Sequence, residues 1–238
     1  MRRLHCGINL RSNKGETNLP RGLGRRHYTA VSWPLMPAIG ITGGISTGKS
    51  TFCDCLRAII PSAKFFNADL AVRALTEVPQ VKQEILDRFG SEIFSPEGDL
   101  NRAKLRAIVF RDATQRRSLE QILHPRIRRQ WVAQATRHRD SSDFFFADIP
   151  LLYETGGEAL CERVVVVACS HKVQLNRLLK RIRLKHSEAE EMINSQMPLE
   201  EKIRRADHVI WNNGDRAMLV AQAKTLVAFW LEQSWKKS

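Results

Sequence analysis

The sequence predicts an α/β fold built on a parallel β-sheet, and three observations predict it. An apolar run at Ala38, Ile39 and Ile41 leads into Gly43-Gly44-Ile45-Ser46-Thr47-Gly48-Lys49-Ser50, and an apolar-rich helical stretch, residues 50–60, follows. Phe144 to Ala147 and Val164 to Cys169 are unbroken apolar clusters of strand length, the pattern of strands covered on both faces of a parallel sheet. Elsewhere, segments of helical spacing alternate with short strand-like ones. No run reaches the roughly 18 apolar residues that would span a membrane.

Residues 1–35 stand apart. They hold seven Arg and Lys residues against Glu16 alone, so +6 of the net +13 charge sits there, with asparagines, Gly22 and Gly24 and no sustained period. That composition suits a disordered, basic extension. It reads as a transit-type presequence or as the product of an upstream start with Met36 as the physiological one. The second is preferred, because no amphipathic stripe is present and Met36 stands two residues before the first strand. A nucleic-acid-binding arm is a third reading, but a nucleic-acid binder would concentrate its charge with aromatic platforms, and the basic cluster of the remaining chain lies over residues 171–187, where anionic small molecules explain it better.

The glycine-bordered segment has a strand before it and a helix after it, the context a phosphate-binding loop requires. Gly43 and Gly48 allow positive φ and close backbone approach, so successive N–H groups can line an anion-sized concavity at a helix N-terminus. Ser46, Thr47 and Thr51 complete the loop's polar wall. Lys49 is placed to reach β- and γ-phosphates, and the Ser50 hydroxyl to sit on Mg²⁺.

After Pro61, residues 63–69 read as a second strand ending in Asp69, which the open-sheet rule places near the phosphates. Asp69 also reads as the N-cap of a helix over Leu70 to Thr76. From Gln80 to Arg139 the pattern is helical: Val81, Ile85, Leu86 and Phe89 with Gly90 as the stop, a turn at Pro96 to Asp99, then stripes through Leu105, Ile108, Leu119 and Leu123. His124-Pro125 is expected to interrupt the last stripe and start a new helix at Ile127 and Trp131. The insertion is too long for a simple crossover and reads as a helical substrate lobe.

Phe144 to Asp148 is a third strand with an acid at its end, the pattern of a carboxylate that supports Mg²⁺. Tyr153 and Glu154 follow at the strand's carboxyl end, in reach of a substrate. A fourth strand covers Arg163 to Cys169. Residues 171–187 then carry Lys172, Arg177, Lys180, Arg181, Arg183 and Lys185 with no acid. Gln174, Arg177 and Arg181 share one helix face, and like charges stacked four apart call for an anion to meet them. A fifth strand over Ala206 to Trp211 and a last helix over Met218 to Leu231 close the chain. The five cysteines are odd in number and lack a disulfide or zinc spacing, so reduced thiols in a cytoplasmic protein are expected.

Together these residues resemble the dephospho-CoA kinase family. The matches are ITGGISTGKST, Asp69 with Arg73, and Leu100, Arg102, Leu105 and Phe110. They continue with His124-Pro125 and Ile127, Asp148-x-PLL-x-E, Gln174 with Arg177 and Arg181, Gln196, and Ala206 to Gly214. The resemblance covers residues 38–214 and leaves the first 35 without a counterpart. It implies a P-loop kinase: a three-layer α/β/α domain over 36–238 with a five-stranded parallel sheet. Its core sheet would use 36–69 and 143–238, a helical CoA-binding lobe about 70–142, and a small helical lid about 174–205.

It also implies that ATP, with Mg²⁺, phosphorylates the ribose 3′-hydroxyl of 3′-dephospho-CoA. Asp69 would orient or deprotonate that hydroxyl, and Lys49, Arg177 and Arg181 would neutralise the transferring phosphoryl group. Arg73, His124, Pro125, Tyr153 and Glu154 would bind the acceptor, and Ser50 and Asp148 the metal. A monomer or weak homo-oligomer is expected. Another small-molecule P-loop kinase, of the nucleoside monophosphate kinase type, is the alternative. Two departures stand out: Asn67 where the family usually has Asp, and Ser46 where it usually has Gly.

Overall fold

In the computed structural model, residues 38–138, 143–181 and 185–235 are described. The basic extension over 1–35 and residues 182–184 of the expected lid lie outside them. Five parallel strands lie in the order β2-β3-β1-β4-β5: β1 (Ala38–Gly43), β2 (Lys64–Asn67), β3 (Phe145–Asp148), β4 (Arg163–Ala168) and β5 (His208–Trp211). The chain leaves β1 toward β2 on one side and returns to β4 on the other. The crevice at the carboxyl end of β1 is therefore the topological switch point, where open α/β sheets bind ligands.

Strand period explains the three layers. Val164, Val166 and Ala168 face a core shared with α2 (Ala68–Leu75) and α5 (Ala113–Arg137), through Ala71, Trp131 and Ala135. Val165 and Val167 point the other way, into Phe52 and Leu56 of α1 (Lys49–Ile59) and Leu219, Leu226 and Trp230 of α9 (Arg216–Trp235). Both faces are covered, so the strands read as continuous apolar runs rather than as alternation. A third cluster (Leu75, Val81, Ile85, Ile93, Leu105, Leu123) joins α2 and α5 to α3 (Pro79–Phe89) and α4 (Arg102–Arg111). Among the described residues no helix is long and apolar enough to cross a membrane.

Two local expectations are corrected. The second strand stops at Asn67, and Asp69 already lies in the first turn of α2. The N-cap is Asn67, whose Oδ1 accepts the Leu70 N–H at 2.9 Å, not Asp69. Nor does Pro125 break the helix: α5 runs unbroken for 25 residues with the proline inside it.

A helix-interior proline costs about 3 kcal/mol. Burial on either side of it outweighs that cost, since Leu123 and Trp131 are 6% and 3% exposed and each buried large apolar side chain contributes roughly 2–3 kcal/mol. Arg126 ties the next turn to the neighbouring helix. Its Nη1 donates to the Ile122 carbonyl at 2.6 Å, and its Nη2 pairs with Glu84 of α3 at 2.6 Å.

Candidate active site

The loop from Gly44 to Gly48 turns β1 into α1, and its two bordering glycines are needed for different reasons. Gly48 holds φ 96°, and a Cβ there would stand 2.0 Å from Asn212 Nδ2. Of the two expected reasons for glycine at position 43, positive φ does not apply and close approach does. A Cβ there would meet the Val167 carbonyl oxygen at 2.4 Å.

The loop's carbonyls are drawn outward by side chains from distant parts of the chain. Asn212 Nδ2 donates to Thr47 O at 2.8 Å, and Arg177 Nη1 reaches the same oxygen at 3.4 Å. Gln174 Nε2 donates to Ile45 O at 2.8 Å, and Lys202 Nζ donates to Gly43 O at 3.3 Å. Gln174 and Arg177 stand on α6 (His171–Arg181) and Lys202 on α8 (Leu199–Arg205), after α7 (His186–Asn194). With the carbonyls held from behind, the loop is fixed as a concavity at the N-terminus of α1, where an anion is favoured. Two loop N–H groups are already engaged: that of Ile45 donates to Gln196 Oε1 at 3.0 Å, and that of Thr47 turns back to Gly44 O at 3.4 Å.

Ser46 is the only non-glycine residue at positive φ among those described (57°), and its buried Oγ has no partner there. Left-handed backbone costs an L-residue about 1–2 kcal/mol, while glycine's extra freedom in the unfolded chain costs about 0.4–1 kcal/mol. Ser46→Gly is therefore expected to stabilise the protein and raise Tm by about 2–4 °C in a thermal melt. An unchanged or lower Tm would show that the hydroxyl contributes more than the strain.

Asp148 ends β3 with 1% side-chain exposure, and both carboxylate oxygens are engaged. Lys49 Nζ pairs with Oδ1, and Asn67 Nδ2 donates to Oδ2 at 2.8 Å. Strand register places Asn67 directly opposite Asp148. Ser50 is exposed at the start of α1. Among the described residues no group of three or more His, Cys, Asp and Glu could hold a metal by itself. One carboxylate and one hydroxyl suit Mg²⁺ that arrives with phosphate oxygens.

Beside the loop lies a cavity of about 800 Å³, lined by Asp69 from α2, by His124, Pro125 and Trp131 from α5, and by Glu154 and Gln196. Asp69 is exposed on its wall. Burial pushes the His124 pKa below its ordinary value, against the opposing pull of Glu120, which favours the neutral ring at physiological pH.

Two expected acceptor contacts lie outside the cavity lining, and a third reaches it with one oxygen engaged. Tyr153 is buried in the core under the Arg205 guanidinium, 4.4 Å from its ring centroid, and does not line the cavity; burial raises its phenol pKa. Glu154 does line it, but its Oε1 pairs with the fully buried Lys202 at 2.8 Å and accepts the Met197 N–H. Arg73 is exposed on α2 and outside the lining. Arg181, one turn beyond Arg177, is exposed.

Sequence reasoning missed Arg116, Glu120, Arg128 and Trp131. All four line the cavity on one face of α5. The spacing 116-120-124-128 was the available signal, hidden by the supposed break at Pro125. It also missed Lys202, which ties α8 to Gly43, Pro150 and Glu154. Cys53, Cys55, Cys161 and Cys169 are free thiols, and burial pushes the Cys53 and Cys161 pKa values up to about 12, which leaves them inert as nucleophiles.

Comparison with known proteins agrees with this geometry. A family model described as CoaE, Dephospho-CoA kinase, matches residues 37–217. A dephospho-CoA kinase of Anaeromyxobacter dehalogenans is 42% identical over 196 residues, 81% of this chain and 92% of that protein. One of Bacillus cereus is 37% identical over 194 residues, 81% of this chain and 96% of that protein. Among solved structures, TT1252 from Thermus thermophilus superposes with a TM-score of 0.68 at 31% identity, covering 80% of this chain and 96% of that one. Dephospho-CoA kinase from Campylobacter jejuni gives 0.57 at 25%, covering 82% and 97%. On the family match and these identities, the chain belongs to the dephospho-CoA kinase family.

Proposed function

We propose that this chain transfers the γ-phosphoryl group of ATP to the ribose 3′-hydroxyl of 3′-dephospho-CoA, giving CoA and ADP, in the cytoplasm and with Mg²⁺. The observation that carries the reading is the adjacency of two sites. A phosphate loop buttressed by Gln174, Arg177 and Asn212 shares Gln196 with a cavity that presents Asp69, His124, Arg116 and Arg128. A cavity with apolar walls and two guanidiniums suits an elongated acceptor that carries phosphates.

Phosphoryl transfer depends on positioning and on neutralising charge in a loose transition state. With nucleotide bound, Lys49 would serve the β- and γ-phosphates, and Asp148 and Ser50 would hold the metal. Mg²⁺ supplies charge neutralisation on the phosphate oxygens. Asp69 accepts the proton of the 3′-hydroxyl or orients it. Arg177 and Arg181 close over the transferring group and exclude water that would hydrolyse ATP. Arg177→Ala and Arg181→Ala are each expected to lower kcat by about 10² to 10³. A change confined to KM would reduce them to gathering substrate.

The assignment is tested by offering dephospho-CoA, AMP, CMP and shikimate with ATP and measuring ADP release. Dephospho-CoA alone should turn over. Comparable rates with AMP or CMP would make the chain a nucleoside monophosphate kinase instead.

A further inference from the structure

The amide of Asn67 makes two bonds at once. Its Oδ1 caps α2 by accepting the Leu70 N–H at 2.9 Å, and its Nδ2 donates to Asp148 Oδ2 at 2.8 Å. Only an amide offers an acceptor and a donor in this fork. Asp at position 67 would keep the cap but set two carboxylates against each other across paired strands. Ser would keep the cap but supply no donor of that reach.

We propose that Asn67 is a neutral positioning strut: it holds Asp148 in place without a divalent cation and keeps the protein's own contribution to the metal–nucleotide site at one carboxylate. The inference rests on the reading of Asp148 as the metal-supporting acid. The strut also fixes the spacing between that acid and Asp69, two residues farther on, because the same side chain anchors the end of β3 and the start of α2. The amide and Lys49 together hold both oxygens of a buried carboxylate. Mg²⁺ alone then finds no second acid with which to displace them, and it is recruited only with the phosphate oxygens of the nucleotide.

The test reads stability rather than turnover, so its outcome is separable from whether the acceptor has been named correctly. Chelator-treated wild type, Asn67→Ser and Asn67→Asp are melted at pH 8 with and without MgCl₂ and no nucleotide. Without metal, the expected order of Tm is wild type, then Asn67→Ser, then Asn67→Asp. Mg²⁺ at about ten times its dissociation constant should raise the Tm of Asn67→Asp by about 3–5 °C and leave the other two within about 1 °C. If Asn67 only capped α2, Ser and Asp would be interchangeable there. Equal metal-free melting of those two variants, or an equal Mg²⁺ shift in all three proteins, overturns the proposal.

Discussion

Asp69→Asn is expected to lower kcat for phosphorylation of dephospho-CoA by about 10² to 10⁴, the range of a positioned general base, with the KM for ATP unchanged. The position makes the test clean. Asp69 is exposed in the first turn of α2 and lines the cavity, whereas the phosphate-type loop is built from β1, α1 and the side chains behind them. Asn preserves shape and removes only the proton-accepting charge. Its structural effect is confined to a lost interaction with the helix dipole, about 0.3–1 kcal/mol, which a thermal melt would register as a few degrees at most. Steady-state kinetics with each substrate varied separates the roles. A fall in kcat identifies Asp69 as acting on the 3′-hydroxyl, a rise confined to the KM of dephospho-CoA makes it a binding group, and unchanged turnover removes it from the mechanism.

The parts of this site that were legible in the sequence are those governed by local rules. The phosphate loop is contiguous, and its glycines, Lys49 and Ser50 are fixed by spacing. Strands buried on both faces announce themselves as unbroken apolar runs, so Phe145–Asp148 and Arg163–Ala168 fell within a residue of their expected ends. What failed depended on partners far along the chain. Lys202 reads as one of several surface basics until its bond to Gly43, 159 residues away, is seen.

Pro125 misled in a different way. A rule correct for an isolated helix was overridden by burial on both sides of the proline. Splitting the helix there concealed the stripe that lines the cavity. Ser46 and Asn67 carry features no local rule announces: one holds backbone strain and the other bonds a neighbouring acid.

Lys49→Met should have the largest combined effect, because the ammonium serves two anions in turn. Toward the phosphates it is a preorganised positive charge, and its loss is expected to lower kcat by about 10² to 10³. Toward Asp148 it neutralises a carboxylate that is 1% exposed, with Asn67 as its other hydrogen-bond donor. Removing one partner of a buried pair costs about 3–5 kcal/mol, and at about 2–4 °C per kcal/mol for a chain of this size the melting temperature should fall by roughly 6–20 °C.

The two effects are separated by the double variant Lys49→Met with Asp148→Asn. The neutral amide needs no counter-charge and can still accept from Asn67 Nδ2, so most of the lost stability should return while activity does not. A double variant that melts as low as Lys49→Met alone would place the instability in lost packing of the lysine stem rather than in the stranded charge. A double variant that regained turnover would mean that Lys49 is needed only to neutralise Asp148 and never reaches the phosphates.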